Sequence, residues 1–254
     1  MKSPGPVLVC AGGASTRIRE MLDAEGLPPD YPKHLLPTGG PDHETLLGRI
    51  VKQASQAPIN QPPIIYAAPQ TVGYMQRDPS VGPATFSTEA FNFSVDPLYY
   101  RLRKYGQRVL GCAGDFYSDF TWAGFISEHD RRETPMSVLA GPSAGSPNAA
   151  IYEVEDGVVT NFYRPEGGSD PTALKNIGAY IIDPDPRVMA VLDELLPVNP
   201  AESLPDDTIF NRLVMDGLVG AITNVGSNHF NVNSVAEYQD MLQRLSEPAQ
   251  SLAS

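Results

Sequence analysis

Val7-Leu8-Val9-Cys10 is apolar at four consecutive positions and runs straight into Ala11-Gly12-Gly13-Ala14-Ser15-Thr16-Arg17. Apolar residues without alternation read as a strand buried on both faces, the habit of strands inside α/β sheets. The paired glycines lack a Cβ, so the backbone there can turn sharply or come close to a ligand. Ser15 and Thr16 add hydroxyls and backbone amides, and Arg17 a forked cation, all suited to phosphate oxygens. Further on, Tyr31-Pro32-Lys33-His34-Leu35-Leu36-Pro37 holds a lysine between two prolines. The loop is neither the dinucleotide fingerprint nor the P-loop, so neither mechanism applies directly. A strand, a Gly-Gly turn and an arginine make a phosphate cradle.

The 254 residues suffice for one sizeable α/β core, read as a single domain over 1–246 with a loose tail over 247–254. The net charge of −12 argues against nucleic acid as a partner, because polyanion surfaces need clustered Lys and Arg. It does not argue against a nucleotide, which a few local donors and a cation can hold. No secretory leader and no apolar run of membrane-spanning length is visible, so a cytoplasmic protein with no membrane partner is expected. Cys10 and Cys112 lie in strand-like apolar runs and read as core thiols, close together if their strands are neighbours. His34, His43, His129 and His229 share no spacing, and no zinc pattern is present.

The two opening segments together resemble the nucleotidyltransferases that activate sugar phosphates, whose pattern runs A-G-G-x-G-T-R-[LM] and then P-K-x-L-L-P. Ala11, Gly12, Gly13, Thr16, Arg17, Pro32, Lys33, Leu35, Leu36 and Pro37 match it. The resemblance implies that the Gly-Gly loop, with Ser15, Thr16 and Arg17, holds a nucleoside triphosphate and that Lys33 contacts its phosphates. Ser15 stands where the sugar-phosphate branch has glycine, and G-G-x-S-x-R is typical of molybdopterin-type nucleotidyltransferases on the same fold. The gap from Arg17 to Lys33 is longer than in the family. Its insertion, residues 23–30, carries Gly, two Pro and three acids and reads as a rim loop or mobile lid.

Thr45 reads as the N-cap of a helix with Leu46, Leu47, Ile50 and Val51 inward, and a second strand follows at 62–68. Phe86, Phe91 and Phe93 read first as core and second as the lining of a base pocket. Ser94-Val95-Asp96-Pro97-Leu98 replaces the G-T-A-x-A-L element that touches the base in the family, which leaves the nucleobase open. A helix is expected from Pro97 to Tyr105. The apolar run Arg108–Gly114 then ends in Asp115, as in the family's L-x-L-x-G-D, whose aspartate binds the catalytic divalent ion. Mg²⁺ needs only one or two carboxylates beside phosphate oxygens, and an acid at the C-terminal end of a parallel strand lies on the ligand-binding edge. Asp119 is expected to cap a helix over 120–129.

Residues 148–162 read as a hairpin turning at Asp156-Gly157. Tyr163-Arg164-Pro165 then stands where the family has E-K-P, so by resemblance Arg164 keeps the acceptor's phosphate contact while the carboxylate is lost. Asn176 to Ile182 matches the N-x-G-x-Y-[IV] strand, whose asparagine lies near the acceptor; Lys175 is a second candidate phosphate contact, or a solvated lysine. Helices are expected over 187–196, over 206–214 with Asp206 and Asp207 capping, and over 235–245. Residues 230–238 resemble W-x-D-[IV]-x-T-P-x-[DE]-[LY], with Asn231 at the second metal-binding aspartate.

The expected fold is therefore α/β and Rossmann-like, of the nucleotidyltransferase (GT-A-like) type, with a mostly parallel central sheet and a small β-hairpin lobe. The implied reaction moves NMP from an NTP to a sugar 1-phosphate or cyclitol phosphate, releasing pyrophosphate. Arg17, Lys33 and Asp115 would be catalytic, Arg164, Asn176 and Lys175 would bind the acceptor, and Asp115 with Asn231 would hold Mg²⁺. A non-catalytic nucleotide-binding regulator and a molybdopterin-type transferase are the alternatives. A glycosyltransferase is disfavoured, since the strand ends in Gly114-Asp115-Phe116 without a D-x-D motif. A homo-oligomer is compatible with the sequence.

Overall fold

The computed structural model describes residues 5–12, 15–39, 43–89, 96–142, 150–164, 172–199, 207–226 and 228–246. The elements run β1 (Val7–Cys10), α1 (Arg19–Ala24), α2 (Leu46–Ser55), β2 (Ile64–Tyr66), α3 (Pro69–Arg77), β3 (Thr85–Ser87), α4 (Asp96–Tyr105) and β4 (Val109–Ala113). The second half continues β5 (Phe116–Ser118), α5 (Trp122–His129), β6 (Met136–Pro142), β7 (Ile151–Glu155), β8 (Val158–Tyr163) and β9 (Leu174–Ile182). It closes with α6 (Pro186–Leu195), α7 (Thr208–Met215), β10 (Val219–Ile222), β11 (His229–Asn231) and α8 (Val235–Ser246).

Among the described residues one sheet has the order β3-β2-β1-β4-β9-β6-β10-β8-β7, and β11 pairs with β5 in a second, two-stranded one. The first four strands are parallel, because α2, α3 and α4 supply the crossovers that parallel neighbours need. The sheet as a whole is mixed, which corrects the expectation of a mostly parallel one. β9 follows the β7–β8 hairpin and runs antiparallel to both β4 and β6. β7 also pairs with β9 at Ile151 and Lys175, so β9, β6, β10, β8 and β7 close on themselves. The hairpin turns where expected. Asp156 and Gly157 have φ of 51° and 81°, the left-handed values that a two-residue turn between twisted strands demands.

β1 is buried throughout, as its composition dictates. Leu8 joins the core shared with α4, α6 and α7, whereas Val7 and Val9 join the core on the other face with α2 and α5. Thr45 caps α2 as expected, its Oγ1 accepting from Gly48 N at 3.1 Å. Asp119 does not cap α5. Thr121 does, and Asp119 instead accepts from the backbone and side chain of Asn228 at 3.1 and 2.8 Å. Cys10 and Cys112 are free, buried and on adjacent strands. A third core seats α8 against β11, through Phe230, Val232, Tyr238 and Met241. Among the described residues no helix is long and apolar enough to cross a membrane.

The insertion over 23–30 is tied down on both sides. Pro29 O accepts from Arg19 Nη1 at 2.7 Å, and Asp30 Oδ1 from the Tyr74 hydroxyl at 2.8 Å.

At the edge where β4 and β6 begin, Arg108 grips Asp183 through Nε at 2.5 Å and Nη2 at 3.0 Å, and Asp130 through Nη1 at 2.7 Å. His129 lies between Asp183 and Ser137, at 3.2 and 2.8 Å. Burial alone would raise the Asp183 pKa, but hydrogen bonds from His129 and Arg108 outweigh it and pull the carboxyl down to about 2. A depressed carboxyl contributes stability above its unfolded value of roughly 3.9 and loses it as pH falls toward 2. Asp183→Asn should therefore lower the melting temperature at pH 7 by about 3–6 °C, from a loss of about 1–2 kcal/mol once solvent screening is allowed for. The gap from wild type should close by pH 2. Melting curves across pH 2–7 check this, and a gap that stays constant would detach the pair from acid stability.

Candidate active site

β1 and β4 lie side by side, and Gly114 N extends their ladder by donating to Cys10 O at 2.8 Å. Asp115 is thereby delivered to the C-terminal edge of the parallel strands. Lys33 reaches the same point from a single 3₁₀ turn, Lys33–Leu35. Its backbone N–H donates to Ser15 Oγ at 3.0 Å, and its Nζ donates to Val232 O at 3.2 Å and Asn233 Oδ1 at 2.9 Å. The Nζ also lies 2.6 Å from Asp115 Oδ2. The lysine is only 7% exposed, so this ion pair is shielded rather than washed by solvent. Burial would raise the Asp115 pKa. The charge of Lys33, with a smaller share from His34, wins and holds the carboxyl below its usual range. Burial pushes His34 the other way, down to about 4, so its ring is neutral near pH 7.

Asn231 arrives from the far end of the chain. β11 pairs with β5 so that Asn231 stands opposite Phe116, and Val232 N donates to Asp115 O at 2.9 Å. The Asn231 Nδ2 donates to Asn176 O at 3.2 Å. Asn176 in turn accepts from Gly178 N and donates to the Tyr180 hydroxyl, both at 2.7 Å. Asp115, Asn231 and Asn176 thus form one connected edge. The sequence motifs around residues 33, 115, 176 and 231 meet here.

The remaining candidates are placed differently. Ala11 is buried with its N–H bonded to Tyr66 O, Gly12 is half-buried, and Gly13 lies outside the described residues. Ser15 takes a left-handed φ of 56° and spends its hydroxyl's acceptor capacity on Lys33, which makes it a support for the lysine. Thr16 and Arg17 are exposed, and Arg17 has no ion pair among the described residues. Lys175 is not a solvated lysine: it is 2% exposed in β9, opposite Gly141 and Ile151. Phe86 packs against the core as first expected, and Phe91 and Phe93 lie outside the described residues.

Two acids near the site escaped the sequence reading. Asp207 looked like a helix cap, yet its side chain makes no cap bond and lies 3.4 Å from Arg164 Nη2. It restores a carboxylate beside the cation, from a position 43 residues away that no local pattern could signal. Asp96 is the first residue of α4, and its charge is felt at the end of β1. The Cys10 thiol is pushed up to about 12, by burial first and then by the charges of Asp96 and Asp115. Such a thiol is inert near pH 7.

No family model matches the chain, and no curated protein matches it either. Solved structures do. A Bacillus anthracis protein assigned as a glucose-1-phosphate thymidylyltransferase, in complex with sucrose, superposes with a TM-score of 0.71 at 15% identity, covering 96% of each chain. HddC from Yersinia pseudotuberculosis gives 0.67 at 14% identity, over 94% of this chain and 99% of its own. The same protein complexed with GMP-PN gives 0.64 at 16%, with the same coverage. Likeness at this level of identity establishes the fold: mixed α/β, with nucleotidyltransferase structures as neighbours.

Proposed function

We propose that the chain is a nucleotidyltransferase that moves NMP from an NTP to a sugar 1-phosphate or sugar-like phosphate and releases pyrophosphate. The observation that carries the proposal is the shielded 2.6 Å pair of Lys33 and Asp115, which joins the two motifs that resemble the family. An oxygen of the acceptor's phosphate attacks the α-phosphorus, and the bond to the pyrophosphate oxygen breaks. This chemistry needs alignment and charge neutralisation more than a protein base. Lys33 brings a fixed positive charge that triphosphate oxygens can share with Asp115. The exposed Arg17, at the mouth of the Gly-Gly loop, is free to close on the outer phosphates. Arg164, steadied by Asp207, takes the acceptor's phosphate, and Asn176 faces the acceptor.

The donors suit Mg²⁺. Asp115 and Asn231 both carry hard oxygens, and the Asn231 amide nitrogen is already committed to Asn176, which leaves its oxygen as the group that could ligate. Among the described residues no group of three or more His, Cys, Asp or Glu is arranged to hold a metal. A Mg²⁺ held by Asp115 and Asn231 would therefore draw most of its ligands from the triphosphate, and would supply charge neutralisation to the phosphates. Residues 1–246 would act as one domain.

A pyrophosphate-release screen tests the proposal, with Mg²⁺, the four NTPs and dTTP against sugar 1-phosphates and cyclitol phosphates. Release with one donor–acceptor pair is the expected result. The amide at Asn231 favours a second reading, a nucleotide-binding regulator, since it removes a charge from the metal site. Tight NTP binding without release across the panel would select it. Absence of NTP binding would sink both.

A further inference from the structure

Four large apolar side chains stand exposed among the described residues, and two of them, Tyr105 at 46% and Val198 at 91%, line one cavity. Single exposed apolar residues are ordinary; two facing the same hollow are not. The cavity measures about 500 Å³, within the range of small-ligand sites. The second half of α4 forms one wall, and the segment after α6 the other. The walls are pinned together. The Tyr100 hydroxyl donates to Pro197 O and Arg103 Nη1 to Leu196 O, both at 3.0 Å.

The cavity is cationic in a chain whose net charge is −12. Arg101, Arg103 and Lys104 fall within four consecutive positions, and all three line it. Cations near a helix C-terminus complement its dipole, which accounts for their sign. It does not account for the exposed ring that they face. The Arg101 guanidinium lies 4.4 Å from the centroid of Tyr105, and Lys104 Nζ 5.3 Å from it. Arg103 spends its charge on Asp193 at 3.2 Å, whereas Lys104 has no ion pair among the described residues. A flat guanidinium held against a phenol ring is a platform on which another planar ring can stack. The ammonium beside it suits a phosphate.

We propose that this cavity binds a mononucleotide, its base stacked on Arg101 and Tyr105 and its phosphate on Lys104. The cations select an anion, and Tyr105 with Val198 selects one that carries a ring to cover them, which bare phosphate lacks. The exposed Glu89, on the same cavity, accepts from ribose hydroxyls, since an ionised carboxylate can only accept. The site is separate from the candidate active site. Arg101 and Tyr105 also border a crevice with Gly5, Pro6 and Val109, at the start of β1 and β4, whereas Asp115 lies beyond the other end of β4.

The test is titration calorimetry on the full chain with AMP, adenosine and inorganic phosphate. These are offered to wild type, Lys104→Glu, Tyr105→Ala and Lys33→Met. AMP serves for the class, because stacking tolerates any base. Wild type should bind AMP, and bind adenosine and phosphate each at least about tenfold less tightly. Lys104→Glu should lose about tenfold or more, since it puts a like charge against the phosphate. Tyr105→Ala should lose about tenfold, the scale of one base stack. Lys33→Met should bind AMP as wild type does, because that lysine lies outside the cavity. Lys104 and Tyr105 are exposed, so their variants should melt as wild type does. The proposal fails if AMP does not bind, if phosphate alone binds as tightly, or if Lys104→Glu and Tyr105→Ala both hold AMP unchanged. It fails too if Lys33→Met alone loses the AMP, which would seat the nucleotide in the candidate active site. None of these outcomes depends on pyrophosphate release, so the assignment stands apart from the transfer reading.

Discussion

Lys33→Met is expected to lower turnover by about a hundredfold to a thousandfold, the range seen when one preorganised electrostatic partner is taken from a reacting phosphoryl or acyl group. Methionine keeps the stem's volume and removes only the charge. The Nζ has three protein partners besides the substrate it would face: Asp115 at 2.6 Å, Val232 O and Asn233 Oδ1. Its removal leaves the Asp115 carboxylate without the cation that holds its pKa down. The variant should therefore also melt lower, since breaking a buried pair costs about 3–5 kcal/mol where both partners are fully enclosed. Asp115 keeps 23% of its side-chain exposure, so a smaller cost, of about 2 kcal/mol, is expected here. Asp115→Asn removes the acid and leaves Lys33 its bonds to Val232 and Asn233, so its melting curve gives the stability share of the broken pair by itself. Pyrophosphate release at saturating NTP, measured alongside melting curves, gives the answer. A Lys33→Met protein within tenfold of wild type would take the lysine out of the mechanism.

Gly111→Ala should lower the melting temperature by about 5–10 °C. A Cβ at this position in β4 would lie 1.9 Å from Leu98 Cδ2 and 2.9 Å from both Cγ and Cδ1. Leu98 is 1% exposed and belongs to the core between α4 and the sheet, so it cannot swing into solvent. Helix and strand must part, and overpacking of this kind costs about 1–3 kcal/mol. For a chain of this size each kcal/mol is worth roughly 2–4 °C. A melting temperature within a degree of wild type would show that α4 yields at no cost.

The first half of the molecule was legible because its signals are local. Apolar β1, the cap at Thr45 and the strand leading to Asp115 each rest on neighbours in the chain, and each lies where its residues put it, with β4 itself closing at Ala113. The hairpin at Asp156-Gly157 was equally plain, since two left-handed residues permit little else. What escaped depends on partners far away. The antiparallel course of β9 is set by the strands it enters between, not by its own composition. Asp119 and Asp207 looked like caps because an acid before an apolar run usually is one. Their carboxylates found Asn228 and Arg164 instead. Lys175 was read by residue type alone, and burial within β9 overrides that prior.

The seat of Lys33 has a consequence for how the protein comes into being. Val232 and Asn233 stand 199 and 200 residues downstream of the lysine they hold. A chain emerging from the ribosome can build β1, β2, β3 and β4 early, from contacts of short range. The lysine gains these two anchors only after β11 and α8 have been made and have docked. A chain stopped before that point would own the whole opening loop and still lack a fixed lysine. A segment made about 200 residues after the lysine thus acts as its latch, and the setting of that side chain follows the order of translation.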